Sequence, residues 1–314
     1  MLKYYFQLFR IPNLFTVPPD IVAGYVITAS INFNNINYFD LLVLVFSSIF
    51  LYIGGLITND LFDLNEDKKH RISRPLASGN IKISTTIILA ILFFGLGILM
   101  TFFLKSTTTI ISCILILLIL SYNYKLKNGP LRPISMGSIR SINIIYGSSS
   151  NDYFYNNFNF GPNNGIFFAQ FINLIIIIIA VFIHIYTLTL LSKRETEQEN
   201  KELKEKLNLN RIYKNYVFSF IILFSADIIF IPDKIAFFSF FLLFMSIITI
   251  LFYKRIVKGG YNHHDIQFLV KNMIILLILL DSIFIAGTLG FYEGLLISCL
   301  LIPCIIIGKK MYMT

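Results

Sequence analysis

Apolar residues in this chain of 314 gather into long, nearly unbroken runs, with polar residues confined to the gaps between them. Ten such segments stand out, at roughly 14–31, 39–58, 83–104, 107–124, 135–149, 166–191, 215–231, 236–253, 268–289 and 291–308. A helix needs about 20 apolar residues to cross a bilayer, and most of these runs reach or approach that length. The fifth is short and the last two nearly touch, so nine crossings with a re-entrant piece and ten crossings are both open. Pro18 and Pro19 should break or kink the first helix. The expected fold is all-α: a polytopic membrane bundle of nine or ten transmembrane helices, with residues 1–314 forming one domain.

The charges in the gaps give this bundle an orientation. If the segments cross in alternation, 24 of the 26 lysines and arginines fall on one side, and only Lys105 and Lys234 on the other. The positive-inside rule then puts both termini in the cytoplasm of a multi-pass protein, in a bacterial-type cell the inner membrane. Composition sharpens the picture. Hydrophobic types make up 56% of the chain and charged types 14%, against about 25% charged in a typical soluble domain. That excludes a soluble enzyme, and it excludes a nucleic-acid-binding chain despite a net charge of +9. Cys113, Cys299 and Cys304 lie in apolar stretches and suggest neither a disulfide framework nor a metal site. The first segment lacks a small-residue cleavage site, so no cleavable signal peptide is expected.

The chemistry concentrates in Asn59-Asp60-Leu61-Phe62-Asp63-Leu64-Asn65-Glu66-Asp67 and the basic stretch that follows it. Asn59, Asp63 and Asp67 are spaced i, i+4, i+8, and Asp60 stands three and seven residues before the two later aspartates. On a continuing helix all four share one face. Three carboxylates stacked there repel one another unless a cation lies between them. Hard oxygen ligands suit Mg²⁺, which bridges a few carboxylates to substrate phosphates. Arg71 and Arg74 follow within reach, and guanidinium forks match diphosphate oxygens. Glu66, Lys68 and Lys69 point off this face and read as ordinary solvated charges.

The string Asn-Asp-x-x-Asp-x-x-x-Asp, then Arg-x-x-Arg-Pro-Leu-x-Ser-Gly, resembles the first signature of the UbiA superfamily of intramembrane prenyltransferases. The resemblance extends to Arg10-Ile11-Pro12-Asn13 with Gly24 in the first helix and to Tyr124-Lys125-Leu126-Lys127 in the fourth-to-fifth loop. Gly129-Pro130, the Met136–Asn143 string and the Tyr186–Glu195 string look most like the EboC-like branch. The resemblance implies a helical bundle with a central cavity capped by cytoplasmic loops, and Mg²⁺-dependent prenyl transfer from a polyprenyl diphosphate. It implies Asn59, Asp60, Asp63 and Asp67 at the metal, with Asn13, Arg71, Arg74 and Lys125 toward substrate.

The chain departs from better-known members after the sixth segment, where a second aspartate motif is expected and Ser192-Lys193-Arg194-Glu195-Thr196-Glu197-Gln198-Glu199 stands instead. Glu195 and Glu199 could offer a substitute acidic face, while Lys193 and Arg194 could neutralise a phosphate directly. Polar residues inside the apolar runs are further candidates. Arg140 and Asn143 share a face at i, i+3, and an intramembrane arginine is a functional candidate, Arg140 being placed with the catalytic group. His184 and Tyr186 suit an acceptor site or hydrogen-bonded packing. Asp281 needs a partner, whereas Asp20 and Asp227 lie nearer their segment ends.

The leading reading is therefore a prenyltransferase in the lipid bilayer that joins a polyprenyl diphosphate to a hydrophobic, aromatic or lipid-like acceptor. A carrier or flippase for an isoprenoid-linked precursor, using the same head-group site without turnover, is the alternative. A CDP-alcohol phosphotransferase would need Gly after its second Asp, where Leu64 follows Asp63.

Overall fold

The structure, a computed structural model, describes residues 2–29, 36–151, 165–194, 202–253 and 263–310. Among these all regular structure is helical, with no strand: α1 Leu2–Leu8, α2 Ile11–Leu14, α3 Val17–Thr28, α4 Tyr38–Phe62, α5 Leu64–His70, α6 Ile83–Thr101, α7 Ser106–Tyr124, α8 Arg132–Ser148, α9 Gly165–Arg194, α10 Glu202–Asp227, α11 Lys234–Phe252, α12 His263–Leu289, α13 Phe291–Ser298 and α14 Leu301–Lys310. Each predicted apolar segment coincides with a helix or a pair of helices. Seven spans among the described residues are long and apolar enough to cross a membrane, the last of them α13 and α14 together. α3 has 12 residues, α8 has 17, and α10 carries a charged first half, which keeps these three out of that set. Against the nine or ten crossings expected, seven such spans are present among the described residues, and α3, α8 and α10 are further helices of the bundle that do not meet that measure.

The prolines do not kink a continuing first helix. The chain turns at Phe15 and Thr16, and Pro18 and Pro19 occupy the opening turn of a new helix, α3. There the missing N–H costs nothing and the fixed φ favours the start.

α3 and α12 form the centre. α3 packs on α4, α8 and α12, and α12 also meets α9, α11 and α13. The larger core runs through α9 to α12 and carries a stack of phenylalanines, with Phe224 at 5.6 Å from Phe220, 5.3 Å from Phe237 and 5.4 Å from Phe284. Outward-facing positions are apolar too, including Ile88 and Ile91 on α6, Ile235 and Leu242 on α11 and Ile302 on α14. A bundle apolar both inside and outside is what a bilayer solvates, so the protein is an integral membrane protein.

His184 on α9 belongs to this packing. Its Nε2 lies 2.8 Å from the Met273 carbonyl oxygen and its Nδ1 2.7 Å from the Tyr216 hydroxyl. A carbonyl only accepts, so Nε2 carries the proton and Nδ1 accepts from tyrosine. Both ring nitrogens are consumed in joining three helices.

Where α3 crosses α8, glycines permit near-contact of backbones. A Cβ on Gly24 would stand 2.1 Å from the Ile144 carbonyl oxygen, and one on Gly147 would stand 2.5 Å from that of Ile21. Small residues at such crossings are how membrane helices approach closely. Gly24→Ala should force α3 off α8 and lower the detergent melting temperature by several degrees, with Gly95→Ala, which meets open space, close to wild type in the same thermal scan.

Candidate functional site

The acidic motif sits where α4 ends. Asp63 is at once the residue that caps the end of α4 and the one that precedes α5, with near-helical φ −85° and ψ −4°. Its amide donates to the Asn59 carbonyl at 3.0 Å, and its own carbonyl accepts from Asp67 at 2.8 Å. The helical path therefore continues almost unbroken across the motif, and this local geometry decides where the carboxylates go. Asp60 and Asp67, seven residues apart, are both buried and both reach Arg74. Arg74 Nη1 is 2.6 Å from Asp67 Oδ2 and 3.4 Å from Asp60 Oδ1. Asp63 points to a different partner, Lys127, which follows α7. Glu66 is exposed, as its place off the shared face predicts.

Arg10 completes the cluster. Its Nη2 donates to Asp60 Oδ1 at 3.0 Å. Its backbone lies in the left-handed region, φ 45° and ψ 55°, and it is the one non-glycine residue with positive φ among those described. Such a conformation is strained and is retained where the surroundings fix it. Arg10 was absent from the candidate residues read off the sequence, and neither spacing nor composition signals it; its place in the Arg10–Asn13 string was the sole hint. Lys125 is the converse. It is exposed, and the neighbouring Lys127 is the lysine that meets the acidic motif. Arg71 stays 47% exposed at 3.9 Å from Asp67, a loose surface pair.

As they stand, no three acidic, histidine or cysteine side chains among the described residues are gathered to hold a metal ion. The donor chemistry nonetheless fits one. Asp67 Oδ1 is buried with no hydrogen-bond partner. Burial pushes the Asp67 carboxyl above the usual range, Arg74 opposes this, and the charges of Asp60 and Asp63 push it up further. The net effect is upward, so the cations present under-compensate this carboxylate. A hard divalent cation would relieve that imbalance. Arg74 itself is pulled down by burial but raised more by Asp60, Asp67 and Asp63, and stays charged.

Arg140 and Asn143 are not part of this cluster. Arg140 Nε lies 2.6 Å from Asp20 Oδ2, and its Nη2 donates to the Thr16 carbonyl. Asn143 donates to the same Asp20 oxygen at 3.0 Å and accepts from Ser48 at 2.7 Å. Asp281 of α12 faces Asp20. This buried network ties α3, α4, α8 and α12 together. The guanidinium also lies over Tyr52, 5.9 Å from the ring centre. Tyr52 is eight residues before Asp60, so the network lies roughly 12 Å along α4 from the acidic motif. Asp20, expected near a segment end and undemanding, is fully buried at its centre. The sequence hides this because α3 starts at Val17 and packs inside the bundle.

Asn13 is buried in α2, where its carbonyl accepts from the Thr16 hydroxyl at 2.8 Å. Tyr186 is half-buried and stacked on Phe182, ring centres 6.1 Å apart. Glu195 lies outside the described residues, as do the side chains of Lys193 and Arg194.

The profile of the UbiA prenyltransferase family matches residues 17–200. A digeranylgeranylglyceryl phosphate synthase of Sulfurisphaera tokodaii is 34% identical over 125 residues, 40% of this chain and 44% of that protein. One from Methanosarcina barkeri is 31% identical over 109 residues, 34% of this chain and 38% of that protein. The chain thus spans less than half the length of these two relatives. Among solved structures, one described as concerning digeranylgeranylglyceryl phosphate synthase in membranes superposes with a TM-score of 0.56 at 20% identity, covering 92% of this chain and 98% of the other. A UbiA homolog from Archaeoglobus fulgidus bound to GPP and Mg²⁺ gives 0.52 at 13% identity, covering 94% and 99%. The structural likeness establishes the fold, and the relatives named here are digeranylgeranylglyceryl phosphate synthases, not specifically members of an EboC-like branch.

Proposed function

The chain belongs to the UbiA prenyltransferase family, and from that premise we propose that it transfers a prenyl group from a polyprenyl diphosphate to a hydroxyl of an isoprenoid glycerol phosphate, with Mg²⁺, residues 1–314 acting as one unit. The observation that carries this reading is the pair of buried carboxylates, Asp60 and Asp67, bridged by Arg74 at the end of a membrane helix. Buried carboxylates at a membrane-helix end are costly unless cations compensate them, and Arg10 and Arg74 leave Asp67 short of positive charge, which a bound cation would supply.

In this reading Asp60, Asp63 and Asp67, with Asn59, are the residues that would hold Mg²⁺, which would supply positive charge against the developing pyrophosphate. Arg10, Arg71, Arg74 and Lys127 turn from carboxylates to diphosphate oxygens, exchanging one charge-assisted hydrogen bond for another. The allylic C–O bond breaks with its electron pair leaving on pyrophosphate. The acceptor hydroxyl oxygen forms the new C–O bond, and its proton leaves with the pyrophosphate. The apolar bundle keeps water from the allylic carbon, where it would otherwise compete.

The glycerol phosphate acceptor is favoured over an aromatic one by the names of the matched relatives. Purified protein given labelled geranylgeranyl diphosphate should label geranylgeranylglyceryl phosphate and leave 4-hydroxybenzoate unlabelled; the opposite pattern would move the acceptor to the aromatic class. We place both termini and the Asp60–Arg74 segment on the cytoplasmic side, supported by the charge split. In a variant lacking the three native cysteines, Ser73→Cys should react with an impermeant maleimide only in inside-out vesicles.

A further inference from the structure

Four cations at the mouth of the site, Arg10, Arg71, Arg74 and Lys127, are each drawn to a carboxylate of the acidic motif. Arg132 is a fifth cation at that mouth, and it has no carboxylate partner among the described residues. It opens α8, and its Nη2 donates to the Ser192 hydroxyl near the end of α9 at 3.3 Å. The Tyr122 side chain, near the end of α7, lies beside it. Its Nε is buried with no hydrogen-bond partner among the described residues. Arg132 follows Lys127, the partner of Asp63, by five residues, and its amide donates to the Gly129 carbonyl at 3.3 Å, which keeps the Arg132 group close to the acidic motif. Asn123 fixes this end of α7 to α4, donating to the Gly55 carbonyl at 3.0 Å and the Thr58 hydroxyl at 2.9 Å. Gly137 lets α8 lie against Phe182 of α9, which brings Arg132 to Ser192.

A half-buried guanidinium bonded to one neutral hydroxyl and flanked by another, with a donor unspent, suits a second anion. We propose that Arg132, Tyr122 and Ser192 form the pocket for the phosphate group of the acceptor lipid, separate from the diphosphate site. The inference rests on the glycerol phosphate reading above. A glycerol hydroxyl lies a few bonds from its phosphate. The phosphate must therefore be gripped near the departing diphosphate but by a cation that the diphosphate and the acidic motif do not claim. Arg132 meets both conditions.

The test is equilibrium binding to the full-length protein in nanodiscs, without prenyl diphosphate, of two labelled probes: geranylgeranylglyceryl phosphate and geranylgeranylglycerol. Wild type should bind the phosphorylated probe at least about ten-fold more tightly, the value of one or two charge-assisted hydrogen bonds. Arg132→Ala should bind both probes alike, Arg132→Lys should keep part of the preference, and both should bind geranylgeranyl diphosphate within two-fold of wild type. Should Arg132→Ala fail to fold, Arg132→Gln and Tyr122→Phe carry the same test, each with a reduced preference. A preference that survives in these variants, no preference in wild type, or a loss confined to geranylgeranyl diphosphate binding would overturn the proposal. A wild-type preference lost in the variants, in a protein that releases no pyrophosphate when both substrates are present, would uphold the pocket and sink the transfer reading instead.

Discussion

Asp67→Asn should lower Mg²⁺-dependent transfer by about 100-fold or more, whereas Glu66→Gln, one residue away, should stay within two-fold of wild type. Asp67 is 2% exposed, with Oδ2 2.6 Å from Arg74 and Oδ1 buried with no hydrogen-bond partner. The amide keeps the size of the side chain and can still accept from Arg74, so the fold should survive. The charge a hard cation needs is gone. Glu66 is exposed and turned from the cluster. A Mg²⁺ titration of initial rate for both variants reads the difference. Equal damage from the two would mean that net charge at this surface matters and the assigned face does not.

Asp20→Ala should be the most destabilising single substitution of those considered, costing about 3–5 kcal/mol because it leaves the Arg140 guanidinium buried without its counter-ion. Arg140 cannot shed its proton to escape. Asn143 also loses the oxygen it donates to at 3.0 Å. A loss of that size lowers the melting temperature by on the order of 10 °C. Arg140→Met together with Asp20→Leu should recover much of it, since an apolar pair of similar volume has no charge to desolvate. If Asp20→Ala melts like wild type but loses activity, Arg140 acts on substrate and the network is not a structural clasp.

The helices were legible because a membrane segment writes itself into sequence as an apolar run, and α4, α6, α7 and α11 needed nothing more. The short helices α3 and α8 were harder. Both are lined by polar residues, Asp20 on one and Arg140 and Asn143 on the other, that satisfy each other across the α3–α8 crossing. Pairing between segments 120 or so residues apart leaves no local periodicity to read. At the site, the shared face of Asp60 and Asp67 followed from helical spacing, and their burial with Arg74 accords with it. Which cation meets which carboxylate did not follow. Arg10 arrives through a left-handed turn, and Lys127 rather than Lys125 faces Asp63 because the short helical turn at Leu126–Asn128 sets the register after α7. Arg132 carries no local signal in the sequence, because its partner Ser192 stands 60 residues away at the end of α9.

Catalysis of Mg²⁺-dependent transfer at the Asp60–Asp67 cluster is tested most directly by pyrophosphate release from purified protein supplied with geranylgeranyl diphosphate and geranylgeranylglyceryl phosphate, followed alongside formation of the ether product. Both should form in equal amounts, dependent on Mg²⁺, abolished by chelator and nearly abolished in Asp63→Asn. Tight Mg²⁺-dependent binding of the diphosphate with no pyrophosphate released by the wild-type protein would contradict it and leave a carrier that uses the same head-group site without turnover.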